Sequence, residues 1–149
     1  MIATTPQANI SDCMRPFMSN TSRRLTRAGN RINQTFGGRY FKTILHKHNY
    51  FLNAYKYNYM NPKAAGIVGR VEDYKFSTLY GLLGNGSLLI PIEEDFTLFS
   101  DIDGTLTWLN TKADELKKEA VRYTLKRPYY KVKKSRNNNK PILKDCDLL

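Results

Sequence analysis

Asn49–Gly66 reads NYFLNAYKYNYMNPKAAG, with Tyr55, Tyr57 and Tyr59 crowded into five residues just ahead of Asn61-Pro62. Asn49 is a helix-start residue, and Pro62 has no main-chain N–H to continue a helix and restrains the residue before it. The run therefore predicts a helix of about three turns. On that helix Leu52, Tyr55 and Tyr59 fall in one narrow stripe, while Tyr57 lies on the opposite side with Tyr50, Asn53 and Asn61. Two tyrosines thus read as core and Tyr57 does not. A strand would instead bring Tyr55, Tyr57 and Tyr59 to one face, simply to pack. The asparagine start, the length and the terminating proline agree on the helix.

Around this stretch the charge is uneven. The chain has 149 residues, enough for one domain with its own core, and a formal net charge of +11. Residues 1–66 carry ten basic groups and one acidic, residues 67–124 six and ten, and residues 125–149 eight and two. Two basic ends around a mildly acidic middle favour a polyanionic partner, and nucleic acid is the commonest for a basic protein. Cys13 and Cys146 have no motif spacing, which points to neither a disulfide framework nor a zinc site. No apolar run approaches the ~18 residues of a membrane span, and no signal-peptide layout opens the chain. The expectation is a soluble cytoplasmic protein with no membrane partner.

In chain order, Met1–Thr5 reads as the tail of a strand and Asn9–Ala28 as a helix interrupted by Pro16 and a polar Ser19–Ser22 run. Arg15, Arg23, Arg24 and Arg27 could line a phosphate-facing side of that helix, or a solvated one. Gly29–Gly38 is a loop, and Arg39–Leu45 has strand composition. Val71–Gly84 predicts a helical turn and a small helix, Gly84–Ser87 a loop, and Thr107–Lys126 a second long helix with Leu109, Ala113, Leu116, Ala120 and Tyr123 at helical spacing. Tyr129–Leu149 reads as a basic, mobile tail.

Two short motifs suggest chemistry. His46-Lys47-His48 would place both histidines on one face of a strand, where they could share a metal. Lys47 between them and the strand-to-helix junction favour surface or DNA-facing histidines instead. Asp101–Leu106, DIDGTL, after apolar Phe96–Phe99, looks like the nucleophile motif of the haloacid-dehalogenase-like phosphohydrolases. Only 43 residues follow it, too few for the several βα units that fold needs, and Asp-Gly is also an ordinary turn signal.

A longer pattern is more specific. TPQANISDCM, INQTFGGRYF and YFLNAYKYNYMNPKAAGIVGRVEDYKFSTLYGLLG, in that order, resemble the REP-associated tyrosine transposases, relatives of the insertion-sequence transposases of the HUH single-strand class. The resemblance runs from about Met1 to Gly84, with weaker similarity to about Lys134. Its strongest signature is aromatic-x-Tyr-x-x-x-Asn-Pro-x-x-Ala-Gly-x-Val, followed by Asp-Tyr-x-x-Ser-Thr.

The resemblance implies an α+β fold: here a partial ferredoxin-like antiparallel sheet with helices (residues 1–84), a helical extension (85–126) and a basic tail (127–149). It implies cleavage and rejoining of single-stranded or hairpin DNA in DNA transposition, with Tyr57 as nucleophile and Asn61 one turn along as its polar neighbour. A phosphotyrosine link would conserve the bond for later transfer, and a divalent Mg or Mn would polarise the phosphoryl oxygen in the complete enzyme. Homodimers are common in the class.

The family's metal is held by a His-hydrophobic-His strand just ahead of the segment that here reads MIATTPQ. This chain begins at that point, and His48 lies only nine residues before Tyr57, where the family has no ligand. The expectation is an N-terminally truncated transposase, inactive alone and binding no metal. Arg23, Arg24, Arg39, Lys42, Lys56 and the tail bases are its expected DNA contacts. A non-catalytic nucleic-acid-binding module is the alternative, and a phosphohydrolase fragment the second.

Overall fold

The computed structural model describes residues 2–30, 36, 40–88, 92–131, 143–144 and 147–149. They form two compact units, Met1–Lys42 and Thr43–Leu149. The boundary falls ahead of the tyrosine stretch.

The first unit is built on α1 (Ile10–Ala28). Pro16 sits inside it without ending it. The helix closes where the Gly29 amide donates to the Leu25 carbonyl (2.9 Å), and Asn30 follows with a φ of +47°, a left-handed conformation that asparagine tolerates better than most residues. Near its start, Ser11 Oγ and Tyr40 Oη share a hydrogen bond of 2.6 Å. No residue of α1 is buried.

The second unit gathers α2 (His48–Ala64), a 3-10 turn (Val71–Asp73), α3 (Thr78–Leu82), α4 (Phe96–Phe99), α5 (Ile102–Asn110) and α6 (Glu115–Thr124). The expected ferredoxin-like sheet is not there. The described residues contain no strand ladder, and their β pairing is one isolated parallel bridge between Ile44 and Tyr129. Residues 2–5, expected to be a strand tail, form no strand, and of the expected strand Arg39–Leu45 only Ile44 is paired among the described residues. β-branched and aromatic content was a poor guide here because strand preference expresses packing against neighbouring strands, and none is present among the described residues.

The tyrosine helix is longer than expected at both ends. Its first accepting carbonyl is that of Lys47, which takes the Tyr50 and Phe51 amides, so Asn49 lies inside the first turn. Pro62 is carried in the last turn. The helix stops two residues later in a Schellman arrangement: Ile67 N–H donates to Pro62 O (2.9 Å), Gly66 N–H to Lys63 O (3.0 Å), and Gly66 has a φ of +70°. A side chain at Gly66 would be strained, which makes Ala65-Gly66 the true stop signal.

The long helix expected over Thr107–Lys126 is two helices. Asp101 caps α5 and Asp114 caps α6, each accepting from the amide three residues on, Gly104 (2.9 Å) and Lys117 (3.0 Å). DIDGTL is therefore a helix start, where the phosphohydrolase motif requires a strand end. A Cβ at Gly104 would collide with the Asp101 carboxylate, so the glycine serves the cap. Asp101→Ala should lower the stability of this unit by about 1 kcal/mol, read as a melting shift of a few degrees.

α2 packs on two sides. Tyr55, Val71, Leu79, Leu98 and Leu109 form one buried cluster, with Phe51, Tyr59 and Trp108 against it. Ala113, Ala120, Val121, Leu143 and Leu149 form another, flanked by Tyr57, Met60 and Leu125. Asn110 joins the turn to α5 and α2: its Oδ1 accepts from the Val71 amide (3.1 Å), its carbonyl from Lys63 Nζ (2.8 Å), and its Nδ2 donates to Glu72 Oε2 (2.8 Å). Burial would push the Glu72 carboxyl up, but hydrogen bonds from Asn110, its own main chain and Arg70 outweigh it and hold it below the ordinary range.

Candidate nucleic-acid interface

The first unit carries seven basic residues against one acidic, Asp12. On α1, Arg15, Arg23, Arg24 and Arg27 are all exposed, and among the described residues no ion pair ties them to a carboxylate. Arg23 and Arg27 stand one turn apart, so their guanidinium groups lie on one side of the helix, with Arg24 beside them. Arg23 is held by hydrogen bonds from Nη2 to Ser19 Oγ (3.1 Å) and Asn20 Oδ1 (3.3 Å). Lys42, in the same unit, is exposed, and Arg39 lies outside the described residues.

Beside this row is a groove of about 550 Å³ lined by Met18, Ser19, Ser22, Arg23, Thr26, Arg27 and Phe36. The Ser19–Ser22 run, expected to weaken the helix, instead lines this groove. The spacing of Ser19, Ser22 and Thr26, with Arg23 and Arg27 interleaved, is a polar helical face, and that periodicity was the available signal. Nothing local in the sequence marks Phe36 as its wall.

The tyrosine site has a different character. Tyr57 is half-buried against the Ala113, Ala120, Val121, Leu143 and Leu149 cluster, and Asn61 one turn on is exposed. Being off the first core stripe did not leave Tyr57 facing solvent, because the C-terminal residues supply a second apolar surface for that side of α2. Tyr55 and Tyr59 are core, as the periodicity predicts: Tyr55 Oη donates to Asp95 Oδ2 (2.8 Å) and Tyr59 Oη pairs with Thr78 Oγ1 (2.7 Å). Burial first, then the hydrogen bond and charge of Asp95, raise the Tyr55 hydroxyl well above the tyrosine range; burial likewise raises Tyr59 and Tyr130.

Groups held neutral in the fold ionise in the unfolded chain from about pH 10. Their contribution to stability is complete below that pH and is lost progressively as pH rises from there toward their raised values in the fold. Alkaline titration followed by circular dichroism should therefore show unfolding setting in from about pH 10, with these three hydroxyls ionising only as the fold is lost.

Lys56, expected on a phosphate-facing surface, is 1% exposed. Its Nζ donates to the Leu149 carbonyl (2.9 Å) and lies 5.2 Å above the Trp108 ring, and burial lowers its pKa. Trp108 Nε1 donates to the same carbonyl (3.2 Å). Asn53, also 1% exposed, donates from Nδ2 to Asp147 O (3.0 Å) and accepts from the Leu149 amide at Oδ1 (2.8 Å). The segment 147–149 is thus strapped to α2, which corrects the reading of everything after Tyr129 as a mobile tail; residues 132–142 and 145–146 lie outside the described residues. Leu149 covers this side of α2 and keeps Lys56 and Tyr57 from forming one open face.

The histidine pair is used in packing. His46 sits edge-on to Tyr50 (5.1 Å) and His48 stacks on Phe51 (6.4 Å). Among the described residues no group of three or more His, Cys, Asp or Glu side chains is gathered around a point an ion could occupy. The described residues thus gather no donor set that fits the divalent ion the resemblance implies. No described helix is long and apolar enough to cross a membrane.

Compared with family models, with curated proteins and with solved structures, the chain matches none.

Proposed function

We propose that this chain is a nucleic-acid-binding module that holds the phosphates of single-stranded or hairpin DNA along α1, and that Tyr57 serves packing. The supporting observation is the row of exposed Arg15, Arg23, Arg24 and Arg27 on a helix whose acidic content is Asp12. Guanidinium groups that make no ion pair among the described residues can form bidentate contacts with phosphate, and a net charge of +11 adds attraction at a distance. Lys42 extends the same basic surface in sequence. Lys56 does not contribute, since its ammonium is already bonded inside.

Binding of this kind releases counterions, so the logarithm of the association constant falls linearly with the logarithm of salt concentration. For a fluorescent hairpin oligonucleotide, Arg23→Ala combined with Arg27→Ala should weaken binding and flatten that slope by roughly 0.7–0.9 for each phosphate no longer neutralised. An unchanged slope would count against α1.

A second reading, strand transfer by Tyr57, draws on the partial exposure of Tyr57 and the exposed Asn61 one turn along. It requires a covalent bond between Tyr57 Oη and a phosphorus atom, with departure of a strand hydroxyl, and so leaves an adduct that survives denaturation.

A further inference from the structure

We propose that the groove between α1 and Phe36 is a seat for one unstacked nucleotide, its base against Phe36 and Met18 and its phosphate on Arg23 and Arg27; this rests on the nucleic-acid reading of α1 and adds to it the single-stranded form of the ligand. Four properties of the groove carry the inference. Its volume, about 550 Å³, is ample for a nucleotide, and it is open to solvent on α1's polar side. Its apolar wall includes an aromatic ring, Phe36, which keeps 38% of its surface exposed, a ring available for stacking. Its rim has two guanidinium groups one helical turn apart, and Arg23 is held in place by Ser19 and Asn20. Its polar lining is made of hydroxyls, Ser19, Ser22 and Thr26, which both donate and accept and so suit the mixed edges of a base.

An aromatic face and adjacent cations are what a single strand needs: stacking tolerates any base, and the cations track the backbone. A duplex offers no such base, because its faces are already stacked. Phosphate alone would need the arginines and no ring. An anionic lipid headgroup would use the arginines and the apolar wall, but would draw nothing from a base.

The test uses the full chain, an oligodeoxythymidylate and an abasic oligomer of the same length, which carries the same phosphates without bases. At one salt concentration, the protein should bind the thymidine strand from about fivefold to about a hundredfold more tightly than the abasic one. Phe36→Ala should erase that difference while leaving affinity for the abasic strand and the far-ultraviolet circular dichroism unchanged, and Phe36→Tyr should restore it. Equal binding of both strands by the unaltered protein, with a steep salt dependence, would overturn the nucleotide seat and leave the nucleic-acid reading standing. Binding to neither would overturn the parent reading and the seat with it. Phe36-dependent binding to phosphatidylserine vesicles, with no preference between the strands, would assign the groove to lipid and overturn the proposal.

Discussion

Leu109→Ala is expected to lower the unfolding free energy of the second unit by about 3–4 kcal/mol. Leu109 is 0% exposed and sits in the cluster of Tyr55, Val71, Leu79 and Leu98, so its truncation takes apolar packing from α2, α3, α4 and the 3-10 turn at once. Neighbouring groups cannot close the gap freely. Tyr55 is tied to Asp95, which also caps α4 through the Leu98 amide (3.0 Å), and Asn110 beside it is committed to Val71, Lys63 and Glu72. A cavity that cannot collapse lies toward the costly end of the range for leucine truncations. Trp108 is the chain's one tryptophan and belongs to this unit, so its fluorescence reports this unfolding separately from α1. The urea midpoint should fall by roughly 2 M. A shift of a few tenths would mean that the cluster is not a core.

The second large effect concerns the strap. Asn53→Ala should cost about 2–3 kcal/mol, because it leaves the Asp147 carbonyl and the Leu149 amide without their buried partner. The loss is selective. It frees the 147–149 segment first, so amide exchange at Leu149 should accelerate more than exchange in α5. Lys56 and Tyr57 would gain exposure together, and the reactivity of the Lys56 amine toward acylating reagents, read by peptide mass analysis, should rise. Equal acceleration of exchange throughout the unit would show instead that Asn53 acts only on global stability.

These two results would test features that the sequence made visible to different degrees. The helical character of the tyrosine stretch was legible, as were α1, the small elements between Val71 and Gly84, and the core positions Tyr55 and Tyr59, because each is encoded by local periodicity. The α2 ends were less so: Pro62 looked like the stop, but a proline in the last turn forfeits little, and Ala65-Gly66 sets the end through its left-handed glycine. The break at Thr111–Asp114 was masked by apolar residues that keep helical spacing across it. The ferredoxin-like sheet was expected from motif resemblance, and pairing between strands is a non-local property that a motif order does not guarantee.

For the site, the arginines of α1 were legible from composition. The role of Lys56 was not, since the carbonyl that holds its ammonium lies some ninety residues away at Leu149. For Tyr57 the helical wheel gives the separation from one apolar stripe correctly, but it cannot reveal a second apolar partner contributed by α6 and the C-terminal segment.

The most direct test is one titration with two readouts. Hairpin oligonucleotide binding should be measured for the unaltered chain, the Arg23→Ala, Arg27→Ala double variant and Tyr57→Phe, first in native gels and then after denaturation in the presence of magnesium. The account predicts that the arginine variant loses affinity, that Tyr57→Phe binds as the unaltered chain does, and that no protein–DNA complex survives denaturation. A covalent adduct abolished by Tyr57→Phe, or binding indifferent to both arginines, would contradict it.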